Sequence, residues 1–434
     1  MRVNWRQDMI SDILNLVSIK SFTGDSLGIR RCQNALTKIA AKMGYASTLK
    51  GKGKVLIIEP KSRVGSTEPA KLGLVVHIDT VPFERFEWKH NPLGEISKGR
   101  IYGRGVLDDK GAAIIALYAM HFLEGKIDDS WQIIVGSSEE KEWVDMEEFL
   151  KENPILPDFL VTVDGDSVQN GCRGYLDLTL SFERATKTSK ISNFYVPMGV
   201  NNAVPSEAVA IINGKKVYYQ GVAVHSSIPE EGTNALTHLS CRIQENNKDV
   251  CEEFPGFFEL MRILKTNFEG EYIGFEKHDK IFNGQPIDGT SVSPTNCTME
   301  GDTLKVNLNL RLGVTTTLED IQKVKEHLSK TYGCTCEEKE LTLPSYVPYD
   351  VPEIKYMCEA YEAVMGSKPE VTIAKGIGYN AALPRCAIFG PRFSEEHDEG
   401  DTCHRADENR KIDDIYKFFE MMIFFLRKTL KKEN

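Results

Sequence analysis

The sequence lacks a long hydrophobic run and lacks the apolar segment of a secretory signal. No window approaches the ~20 consecutive apolar residues that a transmembrane helix needs. Residues 1–22 are polar and periodic instead of continuously apolar. We therefore expect neither membrane insertion nor secretion.

Clustered cysteines and an excess of basic residues are also missing. The ten cysteines are scattered, and only Cys334 and Cys336 lie close together. Their spacing fits no zinc module or disulfide framework, so they predict reduced thiols in a cytoplasmic protein. Basic residues number 53 against 63 acidic ones, a net charge of −10. Because nucleic acids and anionic membranes bind basic surfaces, we expect neither as a partner.

The pattern of apolar segments predicts the architecture. A chain of 434 residues exceeds what one hydrophobic core usually supports, so we expect two domains. Short, continuously apolar segments alternate with helical periodicity at both ends of the chain, which predicts an α/β sheet covered on both faces. The strand candidates are residues 55–58, 72–76, 131–135, 159–163 and 386–389.

The middle of the chain has a different pattern. Residues 175–182 and 304–312 alternate between apolar and polar side chains, which predicts antiparallel, half-solvated sheet. We therefore predict an α/β domain with a mixed sheet over residues 1–180 and 346–434. An α+β domain over residues 181–345 is inserted into it.

Metal-binding residue types recur where the predicted strands end or a helix begins. Ligands of open α/β sheets bind at the carboxyl ends of the strands. Each place alone has an ordinary explanation, such as a polar turn or a helix N-cap. Their recurrence, with imidazole and carboxylates but no cysteine, favours a zinc, cobalt or manganese site. The residues are His77 and Asp79, Asp108 and Asp109, Glu139 and Glu140, and Asp164.

Five motifs in a fixed order carry a resemblance over nearly the whole chain. They are VVHIDTVP, GRGVLDDKG, SSEEKEW, VTVDGD and CHRADE. This order resembles the di-zinc metallopeptidase family of carboxypeptidase G, aminoacylase, acetylornithine deacetylase and carnosinase, and above all its bacterial peptidase V branch, which is Xaa-His dipeptidase-like. The α/β domain would then be the zinc-peptidase catalytic domain, and the inserted domain would be a lid.

The resemblance implies two zinc ions, for which cobalt or manganese could substitute. His77, Asp108 and Asp164 would bind one ion. Asp108, Glu140 and His404 would bind the other, with Asp108 as the bridge. Two ions that share a carboxylate can activate water and polarise a carbonyl group.

Further roles follow from the same resemblance. Glu139 would be the general base that takes a proton from the attacking water and returns it to the leaving nitrogen. Asp79 would orient His77, since ligating imidazoles usually have such a partner. The resemblance also implies a cis peptide bond between Asp108 and Asp109.

Three residues of the inserted domain match further motifs: His225 matches the lid motif of the family, and Asn202 and Arg311 match motifs of the peptidase V branch. His225, in QGVAVHSSIPEEG, would stabilise the tetrahedral intermediate, and Asn202 and Arg311 would bind the substrate. Without the resemblance, His225 would be a surface histidine and Arg311 a solvent-facing strand residue. These alternatives stay open at the level of the sequence.

Two departures from the family pattern concern specificity and assembly. The glycine-rich turn near the end has become KGIGYN, at residues 375–380, with fewer glycines and a lysine. The stretch between Val204 and His225 is much shorter than in peptidase V, whose enlarged lid imitates a second subunit. The chain could therefore be a monomer or a homodimer, with His225 acting in its own or in the partner's site.

The sequence thus predicts a metal-dependent dipeptidase for small peptides with a free C-terminal carboxylate. The first alternative is an N-acyl amino acid deacylase with the same chemistry. The second is a non-catalytic peptide-binding protein on the same fold, although Glu139 and all five metal ligands are present. His397, in an acidic segment, is expected in a solvated loop.

Overall fold

The computed structural model describes residues 4–187, 189–277, 281–393 and 402–432. The chain divides into two compact units, of which the first is Met1–Cys172 with Ser345–Asn434 and the second is Arg173–Pro344. The first boundary precedes the one expected at 180/181. The strand that begins at Gly174 pairs along its length with strands of the second unit, which assigns it there.

The first unit contains a nine-stranded mixed sheet with helices on both faces. Its helices are α1 (Trp5–Val17), α2 (Ser26–Lys42), α3 (Lys110–Phe122), α4 (Val144–Glu152), α9 (Pro352–Met365), α10 (Tyr379–Ala382) and α11 (Ile412–Thr429). Its sheet strands are β1 (Ala46–Lys50), β2 (Val55–Glu59), β3 (Leu72–His77), β6 (Trp131–Gly136), β7 (Phe159–Thr162), β8 (Gln169–Cys172), β18 (Ser345–Tyr346), β19 (Thr372–Ala374) and β20 (Cys386–Ile388). A small antiparallel sheet consists of β4 (Glu95–Ser97), β5 (Arg100–Tyr102) and β21 (Asn409–Lys411).

The centre of the large sheet is parallel and brings the predicted strand ends together. Strand β3 lies between β6 and β7 and is parallel to both, and β20 is parallel to β7 on its far side. His77 at the end of β3 is in register with Gly136 at the end of β6. The segments that follow β3, β6 and β7 therefore leave the same edge of the sheet.

Alternating side chains of these strands enter two separate cores, as a sheet covered on both faces requires. Leu74 and Val76 pack in the large core with the helices α1, α3, α9 and α11. Val75, between them in sequence, packs on the other face in a smaller core with residues of α4 and α10. The predicted strands are continuously apolar because both of their faces are buried.

The second unit is an α+β structure built on antiparallel sheet. Its strands are β9 (Gly174–Glu183), β10 (Ile191–Tyr195), β11 (Glu207–Ile212), β12 (Lys215–Gln220), β13 (Ile281–Phe282), β14 (Gln285–Pro286), β15 (Ser291–Glu300), β16 (Thr303–Leu312) and β17 (Cys334–Thr342). A four-stranded sheet has the order β15–β16–β9–β17, and a three-stranded sheet has the order β10–β11–β12. The helices are α5 (Ala235–Asn246), α6 (Lys248–Cys251), α7 (Pro255–Ile263) and α8 (Leu318–Tyr332).

The polar face of this four-stranded sheet differs from the expectation of a solvated surface. Asp177 of β9 and Asn309 of β16 stand opposite each other, and each is only 1% exposed. Ser226 donates a hydrogen bond to Asn309 Oδ1, and Asn201 donates one to Asp177 Oδ2. The alternation of residue types predicts the strand but cannot reveal that a loop covers its polar side.

Among the described residues, no helix combines the length and the apolar character needed to cross a bilayer.

Candidate active site

The loops at the carboxyl edge of the large sheet bring His77, Asp108 and Asp164 together. His77 Nε2 lies 2.8 Å from Asp108 Oδ1 and 3.8 Å from Asp164 Oδ2. His77 ends β3, Asp164 follows β7, and Asp108 precedes α3. The peptide bond between Asp108 and Asp109 is cis, as the resemblance implies. Asp109 makes no side-chain N-cap hydrogen bond, so helix capping does not explain this acidic pair.

The second oxygen of Asp108 faces a different histidine. His404 Nε2 lies 3.1 Å from Asp108 Oδ2 and 2.9 Å from Glu140 Oε2. Asp108 therefore stands between two imidazoles, with one carboxylate oxygen toward each. The predicted bridging position of Asp108 is compatible with this arrangement.

Among the residues that the structure describes, three overlapping groups of donor atoms could each hold a metal ion. Within each group, all donor atoms lie within 4.8 Å of one another. The groups are His77 with Asp108 and Glu140, His77 with Glu139 and Asp164, and Asp108 with Cys403 and His404. The five predicted ligands all occur in these groups. Glu139, the predicted base, also lies within reach of a metal ion, and Cys403 was not predicted.

Asp79 connects the first histidine with the glutamate pair. Its backbone oxygen lies 3.0 Å from His77 Nδ1, whereas its carboxylate Oδ1 lies 3.4 Å from the same nitrogen. The carboxylate accepts hydrogen bonds from the backbone N–H groups of Glu139 and Glu140 and from the Thr23 hydroxyl. Asp79 therefore fixes the loop that carries both glutamates as well as the ring of His77.

The closely spaced carboxylates of this cluster favour the binding of cations. Hydrogen bonds to Asp108 and Glu140 raise the pKa of His404 to about 10. Burial, together with the charge of Asp108, raises the pKa of Asp164 to about 6. Burial and the neighbouring carboxylates also raise the pKa of Glu139 well above its ordinary value. Carboxylates this close together repel one another unless cations balance them.

One buried oxygen atom is specific evidence that a metal ion binds here. The Glu140 side chain is 5% exposed, and its Oε1 atom has no hydrogen-bond partner among the described residues. A buried carboxylate oxygen without a partner is costly, and metal coordination removes that cost. The donor set of imidazole and carboxylate groups suits zinc, cobalt or manganese.

A cavity of about 520 Å³ opens beside the cluster and is lined by residues of the first unit alone. The altered turn at residues 375–380 forms part of its wall. Gly378 lies so close to Glu139 that a Cβ atom there would come within 2.8 Å of Glu139 Oε1. Tyr379, next in sequence, donates a hydrogen bond to Asp145 and accepts one from the Ser138 N–H. The turn therefore sets the position of the Glu139 side chain.

Glu408 and Arg104 are structural residues of the site that the sequence analysis missed. Their side chains form a buried ion pair, with Arg104 Nη1 2.7 Å from Glu408 Oε2. Burial raises the pKa of Glu408 to about 7, although the guanidinium group of Arg104 acts in the opposite direction. Both lie inside motifs already recognised, GRGVLDDKG and CHRADE, but nothing in the spacing pairs them. His397, which precedes the second motif, lies outside the described residues.

The second unit carries the other three predicted site residues. His225 and Ala203 form an antiparallel bridge, and the Ser226 N–H donates to the Asn202 backbone oxygen. His225 and Asn202 are therefore neighbours, and both are exposed. His225 Nδ1 accepts a hydrogen bond from the Ser227 N–H, which leaves the proton of the neutral ring on Nε2.

Arg311 is 8% exposed, and its guanidinium carbon lies 5.0 Å from the centre of the Tyr175 ring. In the described part of the chain, no carboxylate forms an ion pair with Arg311, and its Nε atom has no hydrogen-bond partner. Burial lowers the pKa of Arg311. A largely buried guanidinium group without a carboxylate is costly, so an anionic ligand would stabilise it.

Comparison with known proteins gives the family. The model of the peptidase family M20/M25/M40 matches residues 73–428, from β3 to α11. The chain belongs to this family. The M20 peptidases are metal-dependent, so this chain is a metallopeptidase, and the predicted family and enzyme class are confirmed.

Individual relatives agree with this assignment. The Beta-Ala-Xaa dipeptidase of Lactobacillus delbrueckii subsp. lactis is 26% identical over 385 residues, which cover 80% of this chain and 79% of that protein. Aminoacylhistidine dipeptidase from Vibrio alginolyticus superposes with a TM-score of 0.61 at 14% identity, covering 98% of this chain and 96% of that one. The YXEP protein of Bacillus subtilis, described as a dinuclear metal binding peptidase, superposes with a TM-score of 0.56 at 10% identity, covering 99% of each chain. These structural matches confirm the predicted fold class.

Proposed function

We propose that this M20 peptidase is a dipeptidase that uses two zinc ions, for which cobalt or manganese can substitute. His77, Asp108 and Asp164 would bind one ion, and Asp108, Glu140 and His404 the other. The observation that carries this proposal is the position of Asp108, whose two oxygens lie 2.8 and 3.1 Å from His77 and His404. The description of the YXEP protein as a dinuclear metal binding peptidase supports the same number of ions.

The catalytic roles follow from the side chains around this centre. Two bound divalent ions would lower the pKa of the attacking water and polarise the scissile carbonyl group. Glu139 would accept the proton of that water and return it to the leaving nitrogen. Asp79 would hold His77 and the Glu139 backbone in position. His225 would donate its Nε2 proton toward the carbonyl oxygen as negative charge develops there.

Arg311 and Asn202 would recognise the substrate. The guanidinium group of Arg311 suits bidentate binding of a terminal carboxylate, and no protein carboxylate in the described chain occupies it. Recognition of this carboxylate would favour substrates with one residue beyond the scissile bond. A longer peptide would bury unpaired amide groups at that end, at a cost of ~1–3 kcal/mol each.

The choice of a dipeptide rests on the relatives. The Lactobacillus protein is named as a dipeptidase, and so is the Vibrio neighbour. An N-acyl amino acid also ends in a free carboxylate one residue beyond the amide. A deacylase would therefore recognise a carboxylate at the same distance from the cleaved bond. Activity on N-acyl amino acids is therefore measured beside activity on dipeptides.

The test is kcat/KM for a dipeptide, its C-terminal amide, the matching tripeptide and the N-acetyl amino acid. Wild type should prefer the dipeptide over its amide by about tenfold to hundredfold, and Arg311→Ala should lose that preference. Arg262→Ala is the control, because Arg262 is exposed and pairs with Glu259 on α7. Equal rates for dipeptide and amide in wild type would contradict the carboxylate recognition. A faster reaction with the N-acetyl amino acid would identify a deacylase.

We also propose a cytoplasmic location. All ten cysteines are described, and none forms a disulfide bond, as is usual for proteins of a reducing compartment. Whether the protein is a monomer or a homodimer stays a prediction from the sequence.

A further inference from the structure

Cys403 lies among the donor atoms of the proposed metal centre. Its Sγ atom is 2.8 Å from Asp108 Oδ2, the same oxygen that faces His404 at 3.1 Å. The donor atoms of Cys403, Asp108 and His404 all lie within 4.8 Å of one another. Two ligands of one zinc ion, bound at ~2.0–2.3 Å, can be at most about 4.6 Å apart. The three donor atoms are therefore almost close enough together to bind one zinc ion, with the Cys403 sulfur as one of its ligands.

The backbone around Cys403 is fixed by hydrogen bonds to other parts of the first unit. The Arg405 N–H donates to the Thr402 backbone oxygen, which closes a turn around Cys403 and His404. The Thr402 hydroxyl accepts from the Asn409 N–H. His404 itself has φ of 60°, a left-handed conformation that non-glycine residues rarely adopt outside constrained sites. The two adjacent side chains thus reach the same region by a constrained turn.

The buried Oε1 atom of Glu140 gives an independent indication of a cation beside Asp108. It has no hydrogen-bond partner among the described residues, while the other oxygen of Glu140 lies 2.9 Å from His404. An ion between Glu140, His404 and Asp108 would satisfy the unpartnered oxygen. Cys403 faces the same Oδ2 atom of Asp108 as His404 does.

We propose that Cys403 supplies a sulfur ligand to the ion bound by Asp108, Glu140 and His404. This inference rests on the proposed dinuclear centre and adds a fourth protein ligand to one of its ions. On coordination the thiol would release its proton to solvent and bind as a thiolate, because a coordinating thiol is deprotonated by the metal ion. Thiolate is a soft ligand, so this ion should be zinc or cobalt in preference to manganese or magnesium.

The test is the absorption spectrum of cobalt-loaded full-length protein. Coordination of a thiolate to Co²⁺ produces a charge-transfer band in the near ultraviolet that oxygen and nitrogen ligands do not produce. The band should appear as the ion on the Cys403 side binds, and it should be absent from Cys403→Ser. Cys358→Ser should keep it, because Cys358 is a half-buried residue of α9 outside the donor groups.

Metal affinity provides a second measurement. Competition with a chelator should show that Cys403→Ser binds one of its two ions at least about 10–100-fold more weakly than wild type. Even an outer-shell partner of a metal ligand contributes about that much, and a direct ligand should contribute no less. The ratio of the zinc affinity to the manganese affinity at this site should also be lower in Cys403→Ser than in wild type.

The outcomes separate this inference from the proposed function. If two cobalt ions bind and support hydrolysis, but wild type shows no sulfur charge-transfer band, Cys403 is not a ligand and the dinuclear peptidase stands. A band that persists in Cys403→Ser would equally overturn the assignment. If fewer than two ions bind to wild type, the proposed centre itself is wrong.

Discussion

Glu408 and Arg104 form a buried ion pair that connects two of the motifs that contribute to the proposed metal centre. Glu408 Oε2 accepts from Arg104 Nη1 at 2.7 Å, and Oε1 accepts from the backbone N–H groups of Gly105 and Leu107 at 3.0 and 2.9 Å. Arg104 also donates to the backbone oxygen of Arg405. The loop that ends in Asp108 and the turn that carries His404 are therefore held to each other.

Replacing Glu408 should destabilise the protein and weaken metal binding. Glu408→Gln leaves the buried guanidinium group of Arg104 without its charge partner, which typically costs ~3–5 kcal/mol of unfolding free energy. Glu359→Gln is the control, since Glu359 pairs with Lys428 on the surface and should cost no more than ~1 kcal/mol. Urea unfolding measures both variants. Equal stability losses would show that the Arg104–Glu408 pair has no special role.

The adjacent glutamates should differ in what they do. Glu139→Gln should reduce kcat by a factor of ~10²–10⁴, or more, and leave two ions bound, because the proposed role of Glu139 is that of a base acting on water. Glu140→Gln should lose one ion together with activity, because Glu140 is a ligand in the proposed centre. Elemental analysis of the purified variants beside wild type decides this. If Glu139→Gln also loses an ion, Glu139 is a ligand in the group it forms with His77 and Asp164.

Gly378 should control the position of the Glu139 carboxylate. In Gly378→Ala the new Cβ atom would stand 2.8 Å from Glu139 Oε1, so the carboxylate must move. A displacement of about 1 Å at a catalytic group can reduce kcat by ~10²-fold. Metal content should not change. Gly376→Ala is the matched control in the same turn, where a Cβ atom meets nothing within 4 Å. Similar kcat values for the two variants would contradict the role of Gly378.

Removal of metal should lower both activity and thermal stability. An ion present at a hundred times its dissociation constant stabilises the folded protein by ~2.7 kcal/mol, so chelation should lower Tm by several degrees. Adding zinc back should restore Tm and activity together. Because protons compete with the metal ion for His404, whose pKa is about 10 in the metal-free site, metal affinity should weaken as the pH falls below that value. A Tm that chelation leaves unchanged, in protein shown to be metal-free, would contradict a stabilising centre.

The sequence by itself determined the central strands of the large sheet and most of the side chains of the candidate site. Strands buried on both faces must be apolar throughout, so β2, β3, β6, β7 and β20 could be recognised locally. The carboxyl ends of parallel strands gather at one edge of a sheet, so His77 and Asp164 could be expected to meet there. Family motifs added His404, which no local pattern connects to His77.

Only the tertiary structure decided which side chains surround these residues. Arg104 and Glu408 are separated by 304 positions, and periodicity informs only about neighbours along the chain. Cys403 looked like one of ten scattered cysteines until the turn at His404 placed its sulfur beside Asp108. Asp177 and Asn309 read as solvated strand residues because burial by a distant loop leaves no local signal. Long-range packing, which the spacing of residues along the chain does not encode, thus determines which side chains hold the proposed metal ligands in place.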